Sequence, residues 1–158
     1  MVLSLNQFRK KNMKTFLQIS IVLMALGCGT KKNSSTDQTV ENDNIKITAS
    51  IGEINQTSDV ASITDVKIKG NKMLIDITYS GGCEAHSFQL VGAAAISKSL
   101  PPIRSIQLIH NANGDQCKKL VSETIEADIS ALAYKQETGS TIILTLDGWK
   151  EKIEYVFE

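Results

Sequence analysis

The sequence predicts an all-β domain: an antiparallel β-sandwich of immunoglobulin-like topology, with a small β-barrel as the alternative. Three observations carry this. From residue 44 onward, apolar side chains recur at every second position, the period of a strand with one buried face. No segment holds a long apolar stripe of helical period. Turn-forming residues interrupt the pattern often enough to leave about eight short strands in about 115 residues.

The elements follow in chain order. Ile45 to Ile54 and Val60 to Lys69 are the first candidates. Gly70-Asn71 then makes a tight hairpin, although its order is the reverse of the favoured Asn-Gly. Met73, Ile75, Ile77 and Tyr79 alternate with Lys72, Leu74, Asp76 and Thr78, so the first set faces a core. Phe88 to Val91 is the next strand. Gly92 to Ile96 fits a short helix or a bulged continuation of that strand. Pro101-Pro102 offers no backbone donors and marks a strand start or sheet edge. Ile103 to His110 and Lys119 to Ala127 flank a loop at Asn113-Gly114-Asp115. Asp128 to Leu132 reads as one helical turn, capped by Asp128, that crosses between sheets. Gly139-Ser140 opens the strand Ile142 to Leu146. Ile143 is apolar as well, which predicts a central strand covered on both faces. Asp147-Gly148 is a strong hairpin signal before Ile153, Tyr155 and Phe157. Trp149, the only tryptophan, is expected to cap one end of the core.

Residues 1–27 read as an export signal. Arg9, Lys10, Lys11 and Lys14 form a basic region, and Phe16 to Leu26 an apolar run too short to span a bilayer as a helix. The run ends in Ala25-Leu26-Gly27-Cys28. This resembles the lipobox of bacterial lipoproteins, although Ala25 stands where leucine is usual. The resemblance implies diacylglycerol on the Cys28 sulfur and an acyl group on its amine, and two or more chains anchor stably. Gly29 follows, with no aspartate to signal inner-membrane retention, which favours the outer membrane, facing either the periplasm or the outside. Residues 28–43 offer no apolar face and read as a flexible tether. Residues 44–158 then form a single domain. Four of the 17 basic residues lie in the signal, leaving 13 against 17 acids, a net charge of about −4 after processing. There is no basic patch with interleaved aromatics, so nucleic acid is not an expected partner.

The chemistry concentrates in Gly81-Gly82-Cys83-Glu84-Ala85-His86 and in His110 to Cys117. These stretches hold both histidines of the chain and the two cysteines outside the signal. In an exported domain, Cys83 and Cys117 are most simply a disulfide. The bridge would staple two loops at one end of the sandwich. The rival is a zinc or copper site on Cys83, His86, His110 and Cys117, with Asp115 supporting an imidazole or replacing a ligand. A bridged sulfur is no thiolate, so the two exclude each other in one molecule. A third arrangement makes Cys83 a nucleophile with His86 or His110 as base and Asp115 as orienter, but the strand pattern supplies no oxyanion hole. Phosphate-loop, serine-elbow and zinc-protease motifs are absent.

Gly-Gly-Cys-x-x-His, a Pro-Pro, a strand ending in His, an Asp-x-Cys and an Asp-Ile-Ser turn together resemble a group of small bacterial cell-envelope lipoproteins. The likeness covers roughly residues 72–158 and implies a location rather than an activity. The expectation is therefore a lipid-anchored envelope protein with a binding or structural role, without a catalytic one and without a cofactor.

Overall fold

A computed structural model describes residues 44–158. The signal over 1–27, Cys28 and the tether to residue 43 lie outside the described residues. Nine strands form two packed sheets. In chain order they are β1 (Ile45–Thr48), β2 (Ser50–Gly52), β3 (Ser62–Lys69), β4 (Lys72–Gly81), β5 (Ser87–Ala93), β6 (Ile103–Asn111), β7 (Lys119–Asp128), β8 (Thr141–Leu146) and β9 (Ile153–Val156). One sheet has the order β1-β7-β4-β3 and the other β2-β5-β6-β8-β9. Among the described residues each sheet ends in two edge strands paired on one side only, so the architecture is a sandwich and the barrel alternative is set aside.

The expectation of a purely antiparallel arrangement is corrected. β1 runs parallel to β7, β2 to β5, and β6 to β8. Strand periodicity reports burial, whereas direction depends on which strands become neighbours, and these three pairs are distant in sequence. The first expected strand also divides. Ala49 is buried, its N–H donates to the Asp128 carbonyl at 2.8 Å, and the chain there leaves one sheet for the other.

The alternation predicted for β4 is realised. Met73, Ile75 and Ile77 are fully buried, and burial of such a side chain contributes about 1.5–3 kcal/mol. Ile125 and Ala127 from β7 lie beside them in the same sheet, and Ile142, Leu144 and Tyr155 from β8 and β9 in the other sheet complete the core. β8 does lie inside its sheet, but Ile143 on its outer side is only half-buried. Gly70-Asn71 turns β3 into β4, and Gly70 has φ +59°, a conformation that glycine adopts without strain. Gly92 and Ala93 continue β5 as strand. Pro101-Pro102 stands just before β6, and the Pro102 carbonyl accepts from Ile143 N–H at 2.9 Å. Ser130–Leu132 forms a single 3₁₀ turn between the sheets, with Ser130 N–H donating to Asp128 Oδ1 at 2.9 Å. Trp149 is half-buried against the core.

This topology creates two ends. At one lie the β4–β5 and β6–β7 loops, and the register Ser87 with Asn111 and Gly81 with Lys119 sets these loops side by side. At the other lie the Gly70-Asn71 turn, the β5–β6 loop and the 3₁₀ turn.

Candidate functional site

Both halves of the Cys/His pattern fall in the first pair of loops, and Cys83 and Cys117 are joined as a disulfide with Cα atoms 5.9 Å apart. The bridge spans a sequence separation of 34, for which chain entropy allows about 4 kcal/mol of stabilisation.

The two glycines before Cys83 have separate reasons. A Cβ on Gly81 would lie 2.6 Å from the His86 ring, so only glycine leaves room for the imidazole. Gly82 has φ +102°, which side chains rarely tolerate. The motif is thus a device for folding His86 back under the loop.

Asp115 ties the loops together. Its Oδ2 accepts from Cys83 N–H at 2.9 Å and Glu84 N–H at 3.0 Å, and its Oδ1 from Cys117 N–H at 2.8 Å. These three amides, led by that of Cys117, hold its carboxyl well below the usual carboxylate range. His86 Nε2 lies 3.2 Å from Asp115 Oδ2, and His86 Nδ1 lies 2.7 Å from His110 Nε2. A carboxylate only accepts, so the network assigns the protons: His86 Nε2–H donates to Asp115 and His110 Nε2–H donates to His86 Nδ1. His110 Nδ1 is then left with a lone pair, and it is a buried atom without a hydrogen bond.

Aromatic rings box the pair. Tyr79 stacks on His86 with centroids 4.5 Å apart, and Phe88 stacks on His110 at 4.7 Å and 7°. Tyr79 Oη–H donates to Glu123 Oε2 at 2.7 Å. Burial first, and then that bond, push the Tyr79 hydroxyl above its ordinary pKa. His110 is 3% exposed. The β2–β3 connection straps it down: His110 N–H donates to Ser58 Oγ at 2.9 Å, and its carbonyl accepts from Asp59 N–H at 2.8 Å. Burial, followed by the neighbouring His86, lowers the His110 pKa, while the backbone of Asp59 and Val60 opposes the shift.

The five expected residues do meet, but as two units. The sulfurs bond to each other, the imidazoles to one another, and His86 alone to Asp115. Cys83 Sγ, Cys117 Sγ and an Asp115 oxygen lie within 4.8 Å of one another, yet in this oxidised form neither sulfur is a thiolate that could hold zinc or copper. For the same reason Cys83 is no nucleophile in this form. Tyr79, Phe88 and Glu123 were not singled out as site residues. The signal for Tyr79 was its place as the last inward side chain of β4, two residues before the Gly-Gly-Cys motif. A surface cleft of about 480 Å³ is lined by Ser58 and Asp59, the residues that strap His110, and by Gln107 and Asp147 among others.

Fold and site define a disulfide-stapled, two-sheet β-domain whose loop end is sealed by a buried His-His-Asp chain. No family model matches the sequence, and no curated protein does. Solved structures similar to it include a NigD-like immunity protein from Bacteroides caccae, 15% identical with a TM-score of 0.54 over 72% of this chain and 64% of that one. A toxin-related protein from Parabacteroides distasonis is 20% identical, with a TM-score of 0.46 over 70% and 61%. A protein of unknown function from Bacteroides vulgatus is 17% identical, with a TM-score of 0.47 over 72% and 55%. The chain therefore spans 55–64% of the length of these proteins. At such identities the likeness shows the fold, and it rests on the first structure.

Proposed function

We propose that the chain is a lipid-anchored protein of the bacterial cell envelope, held through Cys28, whose domain has a binding or structural role without catalysis. The observation that carries this reading is the Cys83–Cys117 disulfide. Such bonds persist in exported proteins, the destination that the lipobox-like Ala25-Leu26-Gly27-Cys28 independently indicates. The outer membrane is the proposed location. The fold shared with a NigD-like immunity protein supports a protein as the bound partner. The immunoglobulin-like reading belongs to the same proposal, since sandwich-end loops are where such domains present their contacts. The test is the intact mass of chain recovered from membranes. Acyl additions that vanish in Cys28→Ser, together with a mass that rises by two protons on reduction, support the reading. A soluble chain with an unmodified Cys28 sinks it.

The second reading is a zinc or copper site in the reduced protein, with Cys83, His86, His110 and Cys117 as the ligand set. The placement of an Asp115 oxygen within 4.8 Å of both sulfurs favours Asp115 as a substitute for the deeper His110. Stoichiometric metal on two free thiols, by elemental analysis of protein as isolated, would establish it over the bridge.

A further inference from the structure

We propose that the cleft beside Leu108 is the docking site for a basic loop of a partner protein. The loop's backbone pairs with Leu108, and an arginine or lysine side chain lies between Asp59 and Asp147. This rests on the reading of a protein as the bound partner, and it names where and through what chemistry that partner is held. The starting point is a gap in the hydrogen bonding of β6. The even-numbered residues of β6 turn their backbone groups away from β5 and toward β8. The carbonyls of Pro102, just before β6, and of Ile106 accept there from Ile143 N–H and Asp147 N–H, both at 2.9 Å. β8 ends at Leu146, and its ladder with β6 stops at Ile106. At His110 the β2–β3 connection takes over the same edge, through Ser58 Oγ and Asp59 N–H. Leu108 lies midway, two residues or about 7 Å along the strand from each. Among the described residues neither β8 nor the connection reaches its N–H or its C=O. A strand edge left open in this way is a template for the backbone of another chain.

The cleft of about 480 Å³ opens on this gap, with Leu108, Ala61 and Ile63 among its lining. Asp147 and Asp59 line it too, and they bracket Leu108, since their backbones pair with Ile106 and His110. Both are exposed, and among the described residues neither is in an ion pair. Asp59 Oδ2 accepts from Ala112 N–H at 2.7 Å, which leaves Oδ1 for a ligand. No basic side chain of the described residues lines the cleft. The occupant must therefore complement an amide donor, a carbonyl acceptor and two open carboxylates. A cationic residue with its own peptide group does so. A free guanidinium would leave Leu108 N–H without an acceptor, and an acidic loop would be repelled. Asp147 and the Ser58-Asp59 strap stand at either side along β6, so the loop crosses the edge and does not extend the sheet. Shallower clefts continue on both sides to let it pass. One shares Gln107 and Asp147 and reaches Asn55, and the other shares Ile63 and Gly148 and reaches the half-buried Trp149.

Amide-resolved NMR on the full chain in detergent tests this. In the free protein Leu108 N–H should exchange with solvent at least about tenfold faster than the N–H groups of Gln107 and Ile109, which face β5. Exchange as slow as theirs overturns the proposal, because the chain itself then closes the gap. Titrated acetyl-Gly-Arg-Gly-amide should shift the Leu108, Asp59 and Asp147 amides. The same peptide with neutral citrulline, and methylguanidinium, which has no peptide group, should each bind about three- to tenfold more weakly. Asp147→Asn should weaken the arginine peptide by a similar factor, and high salt should do so as well. Equal binding of the arginine and citrulline peptides overturns the proposal, as does the absence of any shift at about 10 mM peptide. Shifts confined to the loops around Cys83 and Cys117 overturn the cleft but keep a protein as the partner, now held at the disulfide end. None of these outcomes bears on the lipid anchor, which the mass of the chain recovered from membranes reads independently.

Discussion

The two ends of the sandwich meet the same need with different chemistry. Each must satisfy buried polar groups where strands give way to loops. At the disulfide end this is done by Asp115, His86, His110 and a covalent bond. At the opposite end it is done by groups that hold one charge state across the physiological range. Asn71 Oδ1 accepts from Tyr155 Oη–H at 2.8 Å and from Glu158 N–H at 3.0 Å, and Asn71 Nδ2 donates to the Glu158 carbonyl at 2.7 Å. Arg104, buried without a carboxylate, donates to the Leu132 carbonyl at 3.1 Å and to that of Ala93. One end therefore answers to redox state and, through His110, to pH below 6.5, whereas at the other Asp128, held low by the Ser130 amide and hydroxyl, answers only to stronger acid.

The comparison breaks most readily at the disulfide. Reduction, or Cys83→Ser with Cys117→Ser, should lower unfolding free energy by up to about 4 kcal/mol in urea melts, with amides of the two loops exchanging faster and those of the Asn71 end unchanged. Uniform loosening of both ends would show that the ends are one unit. Gly81→Ala comes next: its Cβ meets the His86 ring at 2.6 Å, and a loss of about 1–3 kcal/mol is expected, together with a shift of the imidazole NMR signals. Asn71→Ala should remove a similar or slightly smaller amount, about 1–3 kcal/mol, because Tyr155 Oη is left without its acceptor, and that loss should be independent of pH from 4 to 8. Tyr79→Phe, which removes one hydroxyl bond to Glu123, should cost only about 1 kcal/mol.

Mild acid separates the ends without mutation. The folded His110 pKa lies below its ordinary value of 6.5, so below that pH the unfolded chain binds more protons and stability falls. Asp115, also lowered in the folded state, adds a second loss as pH drops through and below 3.8. Asp115→Asn should flatten that second slope in melts recorded from pH 2 to 6. Alkali works differently. Burial pushes Tyr155 up to about 12, so the folded chain retains a proton that the unfolded one loses from about 10, and stability falls across that window. Tyr79 shifts in the same direction, so base weakens both ends. An acid slope equal in wild type and in a His86→Gln, His110→Gln double variant would remove the imidazole pair from this account.

Much of the fold was legible because burial alternates wherever one face of a strand is covered. β3, β4, β6, β8 and β9 lie where periodicity placed them, and Gly70-Asn71 and Asp147-Gly148 turn as their backbone freedom suggests. The split at Ala49 was not legible, because one apolar run serves two sheets without a change in composition. Nor were the parallel pairings, since a strand's inward residues look the same whichever way its neighbour runs. At the site, the residues could be read but not their pairing. Sequence can bring Cys83, His86, His110, Asp115 and Cys117 under suspicion together, yet sulfur with sulfur and imidazole with imidazole is a matter of ångströms.

By itself, then, the sequence determined the all-β class, the turn positions and the two stretches that carry the chemistry. Each follows from local properties of the chain: side-chain period, backbone freedom and the placing of scarce residue types. Tertiary structure alone decided that Gly81 is glycine to admit the His86 ring. It also decided that Asp115 serves both loops, and that β1 lies parallel to β7. The last two relate segments about 30 to 80 residues apart, and the first depends on how a short loop folds back onto its strand, so none follows from side-chain period alone.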